Sequence, residues 1–499
     1  MNDKQEFLRR RRRSLAAPLC ACLLSLAANA WAQDRDDTRL RLDHGLEQRQ
    51  NEREQRLLEE QNRAADAGAE TASAPSDAAD ANSLGPALYA AVERRQWPEA
   101  KRLFARYAAL PGRDPMLELY ARGALSRADG DLAQAERHYR ALLERQADFL
   151  PGRLELARVL FENQIDREAE QRFREIQDSL DPDDPKAEGV RRTVATFLRA
   201  LANRRGWHGS VAVGPTWNDN LNQSSESRSC LLTAPDGLCV IERSLPKAAQ
   251  APGLDFDASL SKRVALRGHH GVFLRSLLYG YAYRDDSRYN ETTWNNSAGY
   301  SYASARHGYS LAPSFEYGAY GNQALYGAWG LRADWSYTFS PRWMFKLEGD
   351  YKRMRYRRSA LRNFDGDVAS LYATVWRALP RQWLLFGGVD LSQRDSRSAS
   401  EAYLQRGLRL GLSKQFDAGF GLLAFASLRH RGHRAWSDPL EARRRDDEQN
   451  YTLILRMPKF AFAGLTPSLT LKHNTIASNI DWLYSYDRNS VSLKLERSF

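Results

Sequence analysis

The sequence predicts an α+β multidomain protein in which a helical repeat domain at residues 83–204 precedes a 14-stranded antiparallel transmembrane β-barrel at residues 205–499. Three observations carry this prediction. The chain opens on a basic and then apolar stretch that ends in a small-residue cleavage signal. An Ala-x-x-x-Phe/Tyr pattern recurs at intervals of 35 and 34 residues. After Trp207 the apolar residues change from helical spacing to a period of two, and they keep it as far as Phe499.

Residues 1–32 read as a signal peptide. Lys4 and the arginines at 9–13 form its basic region, LAAPLCACLLSLAANA forms the apolar region, and Ala30-Trp31-Ala32 directs cleavage before Gln33. Cys20 and Cys22 are not lipoprotein acceptors on this reading, because the apolar stretch runs past both and no small-residue lipobox precedes Cys20. Removing the six basic and two acidic side chains of this segment lowers the formal charge from +11 to +7. The remaining Lys and Arg are scattered along strand-like segments, so nucleic acid is not expected as a partner. No window reaches the roughly 18 apolar residues of a membrane-spanning helix. Cys230 and Cys239 flank a short Pro/Gly-containing loop in an exported chain and are a candidate disulfide that staples a surface loop. Zinc-type CxxC spacing is missing.

Residues 33–82 divide into a charged stretch and an Ala/Asp/Ser-rich stretch, neither with enough apolar residues at fixed spacing to bury a face. A disordered tether is expected there, with helical tendency in its first part and no assigned role.

The repeat pattern places Ala100/Phe104, Ala135/Tyr139 and Ala169/Phe173 at equivalent positions, with Gly123 and Ala157 also 34 apart. This resembles the tetratricopeptide repeat. There the small residue lets paired helices approach, and the aromatic four positions later fills the space between repeats. About three helical hairpins follow, closed by a helix near AEGVRRTVATFLRALANRR. Pro151 falls four residues later than the repeat predicts. These residues serve packing, and the groove formed by stacked hairpins suits a peptide or a partner protein.

Alternation is plain in YGAWGLRADWSYTF and WMFKLEGDYK. Trp329, Leu331, Trp335, Tyr337 and Phe339 share one face with Trp343, Phe345, Leu347 and Tyr351. Arg332, Asp334, Lys346, Glu348, Asp350 and Lys352 share the other and are candidate lumen-facing residues. Aromatics beside the tight turn at 340–342, and Trp383 after Pro380-Arg381, fit an interfacial girdle in a bilayer. Tight turns near 267–271, 305–308, 340–342, 379–382, 416–419 and 462–465 each join two strands. With a first strand after Trp207 and a last strand ending at Phe499, the count is fourteen. An even count brings both chain ends of the barrel to the short-turn, periplasmic side, with long loops outside.

No catalytic constellation stands out. His430-x-x-His433 lies in a strand, where residues three apart face opposite sides, and GxSxG, Walker and HExxH patterns are missing. The chain is therefore read as a non-enzyme without a cofactor or metal. GSVAVGPTWNDNLNQSS, residues 209–225, opens the barrel directly after the repeats, and its Asn/Asp residues suit Asx-type turns. A glycine-led first strand and a D-x-N-x-N-like turn, combined with the signal, tether, repeats and fourteen strands, resemble the surface lipoprotein assembly modulator family over residues 83–499. That resemblance implies an outer-membrane translocator, monomeric, whose partners are a client lipoprotein or a secreted haem- or metal-binding protein, with periplasmic chaperones as possible escorts. An exopolysaccharide export porin with periplasmic repeats is the alternative, and it calls for a longer solenoid and an acidic, aromatic lumen. Val491, Leu493, Leu495 and Phe499 form the apolar row of the last strand. A terminal aromatic of this kind resembles the signal read by the barrel-assembly machinery, and Arg497 interrupts the row as a snorkelling interfacial side chain.

Overall fold

The computed structural model describes residues 37–43, 45, 54 and 81–499. Ala30, Ala32 and Gln33 of the expected cleavage site lie outside the described residues. A short helix, α1 (residues 37–43), precedes three helical hairpins: α2 (Ala81–Glu93) with α3 (Trp97–Ala108), α4 (Pro115–Ala128) with α5 (Leu132–Arg145), and α6 (Leu150–Glu162) with α7 (Asp166–Ser179); α8 (Glu188–Arg205) closes the stack. Local chemistry fixes the starts of these helices. The Asp114 carboxylate accepts from the Met116 amide at 2.8 Å and that of Asp131 from the Gln134 amide at 3.0 Å, each satisfying a donor that the first turn leaves open. Pro151 is the second residue of α6, where its missing N–H costs no helical hydrogen bond.

The repeated residues form the packing between helices. Ala100, Ala135 and Ala169 are fully buried, as are Tyr139 and Phe173, while Phe104 is half-buried at the edge of the core. Gly123 explains the close approach of α4 and α5. A Cβ there would lie 2.7 Å from the Tyr139 ring. Phe173 stacks on Phe197 of α8 with ring centroids 4.9 Å apart, which carries the repeat core into the closing helix.

A closed barrel follows, made of β1 (His208–Asn218), β4 (Ala251–Ala265), β5 (His270–Ala282), β6 (Glu291–Ala303), β7 (His307–Tyr320), β8 (Gln323–Ser340), β9 (Trp343–Tyr356), β10 (Gly366–Leu379), β11 (Trp383–Arg394), β12 (Tyr403–Gln415), β13 (Gly421–His433), β14 (Arg445–Arg456), β15 (Thr466–Ser478) and β16 (Tyr486–Ser498). β1 pairs antiparallel with both β4 and β16, so no sheet edge is left open to lipid. The six predicted tight connections all lie at the end where the chain leaves α8 and where it terminates, the periplasmic end of a bacterial barrel.

One outer connection departs from the expected long loop. β7 and β8 are joined by Gly321-Asn322 alone, with φ of 58° and 60°, the two positive values of a type I′ hairpin turn. Between β1 and β4 the outer loop carries its own hairpin, β2 (Arg228–Thr233) with β3 (Cys239–Ser244), whose Cys230 and Cys239 are bonded.

Alternation sorts the barrel's faces. On β8 Trp329 is 69% exposed and the neighbouring Arg332 only 3%. Phe339, Trp343, Phe416, Phe460 and Phe462 are exposed near the short turns, with Phe499 at the same end, where aromatic rings sit between hydrocarbon and water.

Residues 37–43 differ from the expected disordered tether. They form a helix, α1, whose Asp37, Arg39, Leu40 and Asp43 are buried against inward-facing barrel side chains. The sequence criterion looked for an apolar face, and the face that α1 buries is largely polar. Apart from residues 45 and 54, and residues 81 and 82, which open α2, the rest of the predicted tether lies outside the described residues.

Candidate luminal site

Two ionic clusters on the barrel's inner wall receive α1. In the first, Arg332 of β8 donates to Asp43 at 2.9 Å and to Glu348 of β9 at 2.9 Å, while its Nε reaches Asp334 at 3.2 Å. Lys346 lies 3.5 Å from Glu348, and Arg275 of β5 lies 3.8 Å from Asp43. Strand register assembles this patch: Arg332 is paired with Asp350, Asp334 with Glu348, Ser336 with Lys346 and Gly330 with Lys352, all on inward positions of β8 and β9. Lys352 also reaches Glu316 of β7 at 2.9 Å.

The second cluster spans β11 to β14. Asp390 accepts from the Nε groups of Arg409 and Arg429, both at 3.2 Å. Arg429 donates through both its Nη groups to Asp37, which also accepts from Ser427 at 2.8 Å and Asn450 at 3.2 Å. Glu448 lies 3.7 Å from Arg429 and 3.9 Å from Arg431. Between the two clusters the Arg39 guanidinium sits 5.5 Å from the Tyr372 ring of β10. Every one of these guanidiniums would be costly to bury alone. Mixed-sign pairing is what allows a polar wall with so little water contact.

A third ionic group closes the seam. Lys494 of β16 donates to Asp255 of β4 at 3.3 Å and also to Asp257, reaching past β1, whose inward Ala212 and Gly214 leave it room. At Gly214 a Cβ would fall 1.9 Å from the Leu493 carbonyl, so only glycine lets β1 and β16 approach there. On the outer face of the same seam Val491, Leu493, Leu495 and Phe499 are exposed and adjoin Val211, Val213 and Trp217. The Phe499 amide and carbonyl exchange hydrogen bonds with Gly209, both at 3.0 Å, so the last residue completes the cylinder.

The repeat domain docks at the turn end of the barrel. Asp166 at the start of α7 pairs with Arg204 of α8 at 2.7 Å and with Arg263 of β4 at 3.4 Å, and Arg204 in turn holds Glu54 at 2.6 Å. Arg127 of α4 links to Glu155 and Glu162 of α6 at 2.5 Å each, and Arg158 also grips Glu155. Burial pushes the Glu155 carboxyl up, but Arg158 and Arg127 outweigh it and hold the group below the ordinary carboxylate range. Burial raises the Tyr120 phenol, which donates to Glu93 at 2.6 Å.

The six lumen residues predicted from alternation thus lie in one patch. Sequence reasoning missed the second cluster and its ligand α1. Arg429 and Arg431 do alternate with Leu428 and His430, so the wall was open to inspection. Nothing in the spacing of Asp37 and Asp43 points to arginines some three to four hundred residues away. His430 faces outward beside Asp447 at 2.7 Å, and His433 faces inward onto the Ser400 carbonyl at 2.7 Å.

Comparison with known proteins places these features in one lineage. The family described as "Surface lipoprotein assembly modifier" matches residues 207–499, and that described as "Surface lipoprotein assembly modifier, N-terminal TPR repeats" matches residues 78–173. The hemophilin secretion modulator of Acinetobacter baumannii is 40% identical, covering 96% of this chain and 99% of that protein. Surface lipoprotein assembly modifier 1 of Neisseria meningitidis is 26% identical over 83% of each chain. Surface lipoprotein assembly modifier 2 of Haemophilus influenzae is 26% identical over 83% of this chain and 84% of its own. From the fourteen-stranded barrel to the helical hairpins at its turn end, the chain belongs to the surface lipoprotein assembly modifier family.

Proposed function

We propose that this outer-membrane barrel carries particular client proteins from the periplasm to the cell surface, and that the helical hairpins receive the client or its escort beforehand. The observation that carries this reading is the docking of a helical repeat domain directly against the turn end of a closed barrel whose interior is polar. An extended chain that crosses hydrocarbon leaves each backbone group unpaired at several kcal/mol, and a polar, mixed-sign wall offers partners that remove that cost. The relatives, surface lipoprotein assembly modifiers and a hemophilin secretion modulator, support a surface lipoprotein or a secreted protein as client, and haem- or metal-binding proteins are the class we expect. The reading assigns the chain no bond-making chemistry. Periplasmic chaperones are the proposed escorts, and the barrel-assembly machinery is the proposed reader of the Phe499 row.

Deletion of the gene followed by quantitative comparison of surface-shaved and secreted proteins tests the proposal. The expected result is selective loss of one or a few clients from the outside with their retention in the periplasm. Wild-type levels of every surface lipoprotein and every secreted haem- or metal-binding protein would refute it. Loss of exported polysaccharide alone would favour an export porin, for which three hairpins and a lumen mixing arginine with carboxylate are a poor match.

A further inference from the structure

In the structure the conduit is occupied by the protein's own chain. α1 spans the lumen between the wall clusters, with Asp37 held by Arg429 and Asp43 by Arg332, and Leu40, at 2% exposure, packed among them. Three features distinguish this segment from a permanent core element. Its hold on the barrel is chiefly ionic and hydrogen-bonded, so water can replace it at both partners. Each wall arginine keeps carboxylates of its own when α1 leaves: Arg332 retains Glu348 and Asp334, and Arg429 retains Asp390 and Glu448. Neither the filled nor the empty lumen therefore strands a buried charge, the condition for two states of comparable energy. Finally, Glu54 on the same segment is tied to Arg204, which also contacts the repeat domain through Asp166. Eleven residues after Asp43, the chain is thus fastened to the domain proposed to meet the client.

We propose that residues 37–43 are a self-plug, latched by Arg429 and Arg332, which seals the barrel at rest and must leave the lumen when a client passes. The inference rests on the translocation reading for its second half only. The seal itself is a property of the isolated protein.

Purified full-length protein in planar bilayers tests the seal. The double variant Asp37→Asn/Asp43→Asn alters no barrel residue and keeps side-chain size. It is expected to raise time-averaged conductance by about tenfold or more, the factor that corresponds to about 1.4 kcal/mol of lost latch. Conductance equal to wild type would overturn the plug.

A trapping experiment tests withdrawal. Asp37→Cys with Ser427→Cys, a pair joined by a hydrogen bond of 2.8 Å, is made in a Cys230→Ser/Cys239→Ser background. The oxidised protein is expected to block delivery of a co-expressed client to the surface, with recovery on reduction. Failure of the pair to cross-link, or undiminished delivery by the cross-linked protein, would contradict the proposal. If even the unmodified chain delivers no client, the translocation reading fails while the conductance comparison still decides the seal.

Discussion

At the scale of single residues the repeat domain depends on small side chains that admit large ones and on charges that admit burial. Gly123 makes room for Tyr139, and the spacing of 34 residues between Gly123 and Ala157 makes that role legible in the sequence. Glu155 was not legible, because its partners Arg127 and Arg158 acquire meaning only once α4 and α6 lie side by side. Its behaviour with pH follows from the direction of its shift. A carboxyl held below its ordinary value of 4.5 contributes stability that is complete above that pH and is lost as pH falls through the folded-state value. At pH 7 the substitution Glu155→Gln should therefore lower helical stability by about 1.5–3 kcal/mol, the range for hydrogen bonds to charged groups. Thermal melts followed by far-ultraviolet circular dichroism should show the gap between variant and wild type closing below about pH 4.5. A gap that stays constant down to pH 3 would mean that Glu155 is not held as an anion.

At the scale of elements the barrel strands were readable because each presents one apolar and one charged face to a period of two, and because the turn residues at one end are short and regular. The Gly321-Asn322 turn was also written in the sequence. It lies at the end where a bacterial barrel carries its long loops, so a two-residue turn there departs from the general pattern. The seam between β1 and β16 follows from closing an even-stranded barrel whose last strand ends at Phe499, but the bridging Lys494 was not legible, since a lysine in an alternating row does not announce that it reaches past a neighbouring strand. Lys494→Met should leave Asp255 and Asp257 facing each other without their cation, at a cost of about 3–5 kcal/mol for a broken buried pair. Heat-modifiable migration in detergent gels should then be lost at a lower temperature than for the wild type. An unchanged transition would place barrel closure in the backbone ladder alone.

At the scale of the whole molecule the repeat stack docks at the turn end of the barrel, and α1 lies within the lumen. Docking through Asp166, Arg204 and Arg263 joins charges from α7, α8 and β4, and α1 joins residues at the start of the chain to strands at its far end. Such long-range polar contacts have no local period, which is why domain order was legible in the sequence and their mutual fastening was not. On the proposed reading the client is met at the hairpins, the lumen offers it a polar route, and the plug keeps that route shut between passages. The most direct measurement is co-expression of this protein with lipoproteins or small secreted proteins encoded beside it, scored by protease accessibility on intact cells. The account predicts that at least one such client becomes cleavable, or appears in the medium, only when this protein is present. Equal accessibility with and without it, for every neighbouring candidate, would contradict the account.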